Sequence, residues 1–334
     1  MTTENLLSAV IVFKNMITVS NLTKIYQSPI KGKNFISDLF ARKYKETVAL
    51  DKISFAVGEN ELVGFIGPNG AGKTTTLKIL SGILYPTSGN INVMGFTPFA
   101  KKYEFLGQIS FIMGQRNQLL WDLPAVDTFQ LNQEIYNVSE NSFKKTVGEL
   151  VDLLSCQDLL SKPVKTLSLG ERMKMELIAG LIHKPKIIFF DEPTIGLDIF
   201  SQELIRDFIR QYQKHYRASI ILTSHYMEDV KRLAKRLLVI NKGKILYDGS
   251  LKEIIKKYSL EKYVTVTLEG EVDQKILALI GRPISYHFPR ITFKINKAQI
   301  PITVKLITDN LLFSDLTIED EPIEEIIKTL FRGK

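Results

Sequence analysis

The chain has 334 residues, a formal net charge of +8 and one cysteine, Cys156. A single cysteine excludes an internal disulfide, and we expect it to be a small core residue. Apolar residues make up 45% and charged residues 24%, which is ordinary for a globular protein with room for about two domains. No apolar stretch approaches the roughly 20 residues that span a bilayer, and the run over 6–13 makes a poor signal peptide. The charge would suit an anionic lipid surface or nucleic acid, but an ordinary basic protein explains most of it.

The first part of the chain predicts antiparallel structure. Residues 1–15 are interpreted as an extension, and alternating apolar residues predict strands over 16–26 and 47–57. Residues 27–46 between them are interpreted as an insertion. Within it, residues 35–44 have apolar residues at helical spacing with basic residues on the other face. This helix could lie on a membrane or partner surface, or it could pack on its own domain.

A phosphate-binding turn follows the apolar strand Leu62–Ile66, and it reads Gly67-Pro68-Asn69-Gly70-Ala71-Gly72-Lys73-Thr74. The turn fits the pattern of glycine, four free positions, glycine, lysine and serine or threonine. Glycines let the backbone fold into a nest of inward-facing N–H groups, and the following helix directs its positive end at the same place. Lys73 would neutralise the β- and γ-phosphates, and the Thr74 hydroxyl would bind Mg²⁺. The sequence therefore predicts nucleotide binding.

The middle of the chain alternates strand and helix. Strands are predicted over 91–93, 109–113, 186–190 and 219–223, with a hairpin over 237–248. Helices are predicted within 127–160 and over 168–181, 201–213 and 227–234. This alternation favours a mostly parallel sheet with helices on both faces.

Two carboxylates, Asp191 and Glu192, end the apolar run at 187–190. A buried strand that ends in two acids is costly unless a positive charge lies opposite. The alternative is a strand end with solvated acids.

Together these motifs resemble the ATP-binding subunit of an ABC transporter, over about residues 16–250. The resemblance implies that Asp191 holds Mg²⁺ and that Glu192 is the general base for ATP hydrolysis. The segment 167–171, Leu-Ser-Leu-Gly-Glu, is similar to the family's signature, in which Ser168 and Gly170 bind the ATP held by the other subunit. Leu169 and Glu171 depart from the usual glycine and glutamine. From the residues alone, Ser168 and Glu171 would simply form a helix capping box, which is compatible with the signature interpretation.

Further residues match the family pattern. Gln115 resembles the glutamine that senses Mg²⁺ and water, and His225 resembles the switch histidine that contacts the γ-phosphate. The segment Gly196-Leu197-Asp198 resembles the loop that bridges the two sites in the family's dimer. Tyr26 resembles the aromatic residue that stacks on adenine, although it could be an ordinary strand-end tyrosine. The resemblance thus assigns catalysis to Glu192, His225 and Gln115, and Mg²⁺ to Thr74, Gln115 and Asp191. It assigns ATP contacts to Tyr26, Gly67, Pro68, Asn69, Gly70, Ala71, Gly72, Lys73, Thr74, Thr75, Ser168, Gly170 and Asp198.

The tail from about residue 260 predicts the order βαββαβ with one more helix, typical of a split βαβ sandwich. The expected fold is α/β: a P-loop NTPase of the ABC type over 16–255, with a mostly parallel sheet, an antiparallel β subdomain and a helical subdomain at about 115–180, plus a small C-terminal α+β domain over 260–334. This layout resembles ATP-binding subunits of type 2 exporters, including antibiotic-resistance and sodium-efflux kinds.

The resemblance implies a head-to-tail homodimer joined by ATP, bound to a separate transmembrane permease at the cytoplasmic face. Trp121 falls in the region expected to receive the permease, although it could instead pack within the helical subdomain. No nucleic acid partner is expected. Two alternatives remain open: a soluble ABC-type ATPase that acts on ribosomes or nucleic acid, and an importer subunit with a regulatory tail.

Overall fold

The computed structural model describes residues 15–30, 44–224, 226–259 and 261–332, with the side chains of 274, 275 and 278 left aside. The chain divides into two compact units, Met1–Asp248 and Gly249–Lys334. Most of the predicted N-terminal extension and of the helix expected at 35–44 lies outside the described residues. None of the helices in the described ranges has the length and apolar character needed to span a bilayer.

The strands of the first unit fall close to the predicted positions. They are β1 (Asn15–Pro29), β2 (Tyr44–Gly58), β3 (Leu62–Ile66), β4 (Ser88–Val93), β5 (Ile109–Met113), β6 (Ile187–Asp191), β7 (Ser219–Thr223), β8 (Arg236–Asn241) and β9 (Lys244–Ser250).

The helices of this unit alternate with its later strands. They are α1 (Lys73–Leu80), α2 (Tyr103–Leu106), α3 (Ala125–Ile135), α4 (Glu140–Leu154), α5 (Leu169–Leu181), α6 (Ile199–Tyr216) and α7 (Met227–Leu233). Short 3₁₀ turns occur at Pro98–Ala100, Gln157–Leu159 and Val164–Thr166.

The prediction that the first strand ends at Tyr26 is wrong. β1 continues to Pro29 and pairs antiparallel with β2 as far as Tyr44, so both ends of the region interpreted as an insertion belong to one hairpin. The side chains from Gln27 to Pro29 are exposed, which explains why hydrophobic patterning could not reveal this part of the strand. Backbone hydrogen bonds to β2 form this part of β1. The side-chain amide of Gln27 adds a hydrogen bond to Glu46 Oε1 at 3.1 Å.

The main sheet has the order β5-β6-β7-β3-β8-β9, and the pairs from β5 through to β8 are parallel. The predicted parallel sheet is therefore confirmed. Because parallel strands end at a common edge, the segments after β3, β5, β6 and β7 meet there. These segments carry the phosphate loop, Gln115, the two carboxylates and Ser224, in that order.

One apolar core joins the main sheet to the antiparallel sheet β2-β1-β4. Phe65 and Phe189 from the main sheet are fully buried in it, as is Leu77 of α1. Cys156 is also buried, as predicted, and burial raises the pKa of its thiol to about 11.

The second unit contains α8 (Leu251–Tyr258), β10 (Glu261–Leu268), α9 (Gln274–Ile280), β11 (Pro283–His287), β12 (Arg290–Asn296), α10 (Ile300–Asn310), β13 (Phe313–Asp320) and α11 (Ile323–Arg332). Its antiparallel sheet has the order β11-β12-β10-β13, and from β10 onward its elements follow the predicted order. The alternation seen in the sequence places Val264 and Val266 inward, where they form a separate core with Phe293.

Because each of the two units has its own apolar core, we expect the units to unfold in separate transitions. Phe293→Ala removes a fully buried ring from the second core, which should cost about 3–5 kcal/mol of stability there while ATP binding remains. Calorimetry with and without ATP measures this, because ATP should raise only the transition of the first unit. The matched change Phe189→Ala should lower that transition instead. A loss of ATP binding in folded Phe293→Ala protein would contradict the prediction.

Candidate active site

The side chain of Lys73 folds back and contacts the start of the phosphate loop. Gly72 has φ 112°, a left-handed conformation that suits glycine, and it precedes the first turn of α1. Lys73 is 5% exposed, and its ammonium group donates to the carbonyl oxygens of Gly67 at 2.6 Å and Pro68 at 3.2 Å. Burial lowers the pKa of Lys73, and the charges of Glu192 and Asp191 oppose this shift. The loop therefore holds a partly desolvated cation beside two carboxylates.

Asp191 joins the phosphate loop to two strands of the sheet. Its carboxylate accepts from the Thr74 hydroxyl at 3.0 and 2.9 Å, and from the Thr223 hydroxyl at 2.8 Å. Thr223 ends β7, directly opposite Asp191 in the parallel register. The acid is therefore fixed by hydroxyls from both neighbouring segments and is not a solvated strand end.

Glu192 has a strained backbone conformation next to this acid. Its φ is 56°, which is uncommon for a residue with a side chain and is often found at functional sites. The Thr223 carbonyl and hydroxyl oxygens both accept from its backbone N–H at 3.1 Å. The side-chain amide of Gln115 donates to Glu192 Oε2 at 3.3 Å. The structure thus brings the side chains of Gln115 and Glu192 together.

Two clefts at the carboxyl edge of the sheet collect most of the predicted residues. One is lined by Asn69, Gly70, Thr74, Lys78, Met113, Gln115, Arg116, Asp191, Glu192 and Ile195. The other is lined by Ala49, Asn69, Gly70, Ala71, Gly72, Lys73, Thr74, Thr75 and Glu192. The residues that line both clefts are Asn69, Gly70, Thr74 and Glu192, so the phosphate-binding backbone lies beside the Glu192 carboxylate.

Tyr26 lies near the phosphate loop although it does not end its strand. Its hydroxyl is 3.4 Å from Thr75 Oγ1, and 38% of its surface is exposed. Lys24 Nζ lies 5.3 Å from the centroid of the Tyr26 ring. This position beside the loop is compatible with the predicted stacking role.

The signature residues form a cluster of their own. Ser168 caps α5 in a capping box with Glu171, whose backbone N–H donates to Ser168 Oγ at 3.3 Å and whose carboxylate accepts from Ser168 N at 2.8 Å. A Cβ atom on Gly170 would lie 2.5 Å from Ser201 Oγ. The Ser201 hydroxyl in turn donates to Asp198 at 2.6 Å. Ser168, Gly170 and Asp198 are not among the described residues that line the two clefts.

His225 lies outside the described residues, but the network next to it was not predicted from the sequence. Asp229 is fully buried and accepts from Arg206 Nε at 2.6 Å, from Thr194 Oγ1 at 2.5 Å and from the Ser224 hydroxyl. Through the Ser224 hydroxyl, this buried ion pair is hydrogen-bonded to the residue immediately before position 225. The available signal was Arg206, a cation among the apolar residues on the buried face of α6.

The oxygen atoms at the carboxyl edge fit a magnesium ion. Thr74 Oγ1 and the Asp191 carboxylate are hard donors within hydrogen-bond distance of each other. Mg²⁺ is commonly held by one or two carboxylates together with substrate phosphates, so a complete protein cage is not required. Thr74 and Asp191 are therefore suitable ligands beside the phosphate loop.

Comparison with known proteins identifies the family of the chain. The family model described as ABC transporter matches residues 50–195. The ABC transporter ATP-binding protein NatA of Bacillus subtilis is 33% identical over 215 residues, which is 64% of this chain and 87% of NatA. The linearmycin resistance ATP-binding protein LnrL of Bacillus subtilis is 28% identical over 238 residues, which is 71% of this chain and 76% of LnrL.

A solved structure has the same fold. It is a dimeric ATP-binding cassette in a post-hydrolysis state with ADP and Pi, with a TM-score of 0.60 and 21% identity over 71% of this chain and 99% of that one. The fold and the site define a P-loop NTPase. The chain belongs to the ABC transporter family of ATP-binding proteins, and it is an ATPase that binds ATP.

Gly114 should be essential for the position of Glu192. A Cβ atom on Gly114 would lie 2.0 Å from the carbonyl oxygen of Glu192, so Gly114→Ala must displace one of the two segments. We expect kcat to fall on the order of a hundredfold, with little change in ATP affinity. Steady-state ATPase kinetics and equilibrium ATP binding measure the two effects.

Gly148→Ala is the matched control. Gly148 lies within α4, and nothing lies within 4 Å of its added Cβ, so this change should stabilise the protein by about 0.5–1 kcal/mol and leave kcat unchanged. A wild-type kcat for Gly114→Ala would show that the close approach does not position Glu192.

Proposed function

We propose that the chain couples ATP hydrolysis to transport as the energy subunit of an exporter. In this proposal two copies associate head to tail and act on a separate transmembrane permease at the cytoplasmic face of the membrane. The observation that carries the proposal is the separation of the site into two clusters. Residues 69–74 of the phosphate loop, Asp191 and Glu192 line the two clefts at the carboxyl edge of the sheet, whereas Ser168 and Gly170 belong to a different cluster with Asp198.

Each cluster supplies chemistry that the other lacks. The first offers a cation, backbone N–H groups and carboxylates for the bound phosphates. The second offers the exposed Ser168 hydroxyl and the N-terminus of α5, which would favour an anion. ATP bound to the first cluster of one copy would be enclosed by the second cluster of its partner. Dimeric cassettes of the same fold support this arrangement.

Hydrolysis within this site depends on Glu192. The carboxylate would accept a proton from the water that attacks the γ-phosphorus, while the bond to the bridging oxygen of ADP breaks. Gln115, whose amide contacts Glu192, would orient that water. Mg²⁺ bound by Thr74 and Asp191 would neutralise charge on the β- and γ-phosphates.

The surface that would receive the permease lies next to the Gln115 loop. Its apolar side chains are partly exposed, with 40% of Leu120, 47% of Trp121 and 46% of Leu123 accessible. Neighbouring apolar residues that stay exposed are typical of interaction sites. The export direction is supported by the similarity to LnrL, a protein named for linearmycin resistance.

Glu192→Gln tests the proposed mechanism. The amide cannot accept the proton, so kcat should fall about 10²- to 10⁴-fold while ATP affinity remains. With ATP and Mg²⁺ present, the variant should accumulate as a dimer. ATPase assays and size-exclusion chromatography with light scattering measure both effects, and a hydrolysis rate equal to that of the wild type would refute the base assignment.

A further inference from the structure

Glu176 is a buried carboxylate that the proposed mechanism does not use. It lies on α5, the helix that Ser168 caps, and it is 4% exposed. A buried carboxylate is costly unless it has hydrogen-bond partners, so the groups around it must offset its desolvation. Those groups belong to the loop that carries Gln115.

The partners of Glu176 are backbone N–H groups. Gln118 N donates to Glu176 Oε1 at 2.7 Å, and the Leu119 amide also favours the ionised carboxylate. Burial raises the pKa of Glu176 to about 7, against the opposing effects of these amides and of Arg172. Among the described residues, Arg172 is the charged group that acts on this carboxylate.

The same loop is attached to the main sheet and to the catalytic carboxylate. The Gln118 side-chain amide donates to the carbonyl oxygen of Phe111 in β5 at 3.0 Å. Three residues earlier, Gln115 donates to Glu192. A displacement of Gln118 by α5 would therefore be transmitted along a short, hydrogen-bonded segment to Gln115.

Arg172 connects this carboxylate to the protein surface. It lies one helical turn before Glu176, and its guanidinium carbon is 5.7 Å from the centroid of the Trp121 ring. That distance is within the range of a cation–π interaction. Trp121 is partly exposed, and its carbonyl oxygen accepts from Lys165 N at 3.0 Å, shortly before the signature.

We propose that Glu176 is a positioning residue that binds the Gln115 loop to α5, and that Arg172 and Trp121 link it to the exposed apolar surface. The proposal rests on the proposed function, because it requires Glu192 to be the base that Gln115 serves. A group that covers Trp121 would move Arg172, change the charge balance at Glu176 and so shift Gln115 relative to Glu192.

The test uses the full chain with Glu176→Gln. Glutamine keeps the side-chain length and one acceptor oxygen but loses the charge, so the loop should be held less firmly. We expect kcat to fall between about ten- and a hundredfold while the dissociation constant for ATP stays unchanged. Glu134→Gln, the same change at an exposed position on α3, should have the wild-type kcat.

The pH profile separates positioning from general damage to the fold. In the wild type, kcat should rise with pH through about 7 as Glu176 ionises. This rise of kcat with pH should be absent in Glu176→Gln. The proposal would be overturned if the variant showed the same rise, or if its kcat equalled that of the wild type.

A second variant covers the case in which Glu176→Gln fails to fold. Arg172 is only partly buried, so Arg172→Gln should fold, and without the cation the pKa of Glu176 should rise. The rise of kcat with pH should then move to higher pH, and activity near neutral pH should fall. An unchanged pH profile in Arg172→Gln would contradict the proposed link from Glu176 to Trp121 through Arg172.

Glu192→Gln, assayed beside these variants, distinguishes the two possible failures. If Glu192→Gln is inactive and Glu176→Gln is normal, the positioning role alone is wrong. If Glu192→Gln is as active as the wild type, the proposed mechanism is wrong and the role of Glu176 is refuted with it.

Discussion

The hydrogen bonds from Thr74 and Thr223 to the Asp191 carboxylate are the contacts on which the site depends. They hold the acid that ends β6 against the first turn of α1 on one side and against β7 on the other. A carboxylate at the end of a buried strand is costly without such donors. Because these hydroxyls satisfy it, the start of α1 and the ends of β6 and β7 have a fixed relative position.

Glu192 takes its position from this arrangement. Its positive φ carries a cost that the neighbouring contacts offset, notably the hydrogen bonds from its backbone N–H to the carbonyl and hydroxyl oxygens of Thr223. The backbone of Glu192 is therefore held at the end of β7, while its side-chain carboxylate accepts from Gln115. The buried ion pair of Arg206 and Asp229 supports the next strand end in the same way.

Local chemistry made much of the site predictable. The turn from Gly67 to Thr74 needs particular residue types at fixed spacing, and the pair Asp191 and Glu192 ends an apolar strand. Ser168 and Glu171 follow the capping-box spacing and do form that box. Such features depend on neighbours in sequence, so one sequence is enough to find them.

Features that depend on distant neighbours were not predictable. The extension of β1 past Tyr26 has no inward apolar residues to mark it, because backbone pairing alone forms it. Glu176 resembles any polar residue on a helix until the loop at Gln118 is seen to cover it. The buried ion pair of Asp229 likewise becomes visible only in the structure, because its partner Arg206 lies on another helix. These residues act through tertiary contacts that periodicity cannot show.

The most direct test of the account is complementation between two inactive variants. Lys73→Ala removes the cation of the phosphate loop, and Ser168→Arg blocks the signature cluster, so each protein alone should lack ATPase activity. In a mixed dimer one site would combine an intact phosphate loop with an intact signature from the other copy. We predict that mixing the two proteins, with subunit exchange verified by differently tagged capture, restores ATPase activity. A mixture that exchanges subunits but remains inactive would contradict a site shared between two copies.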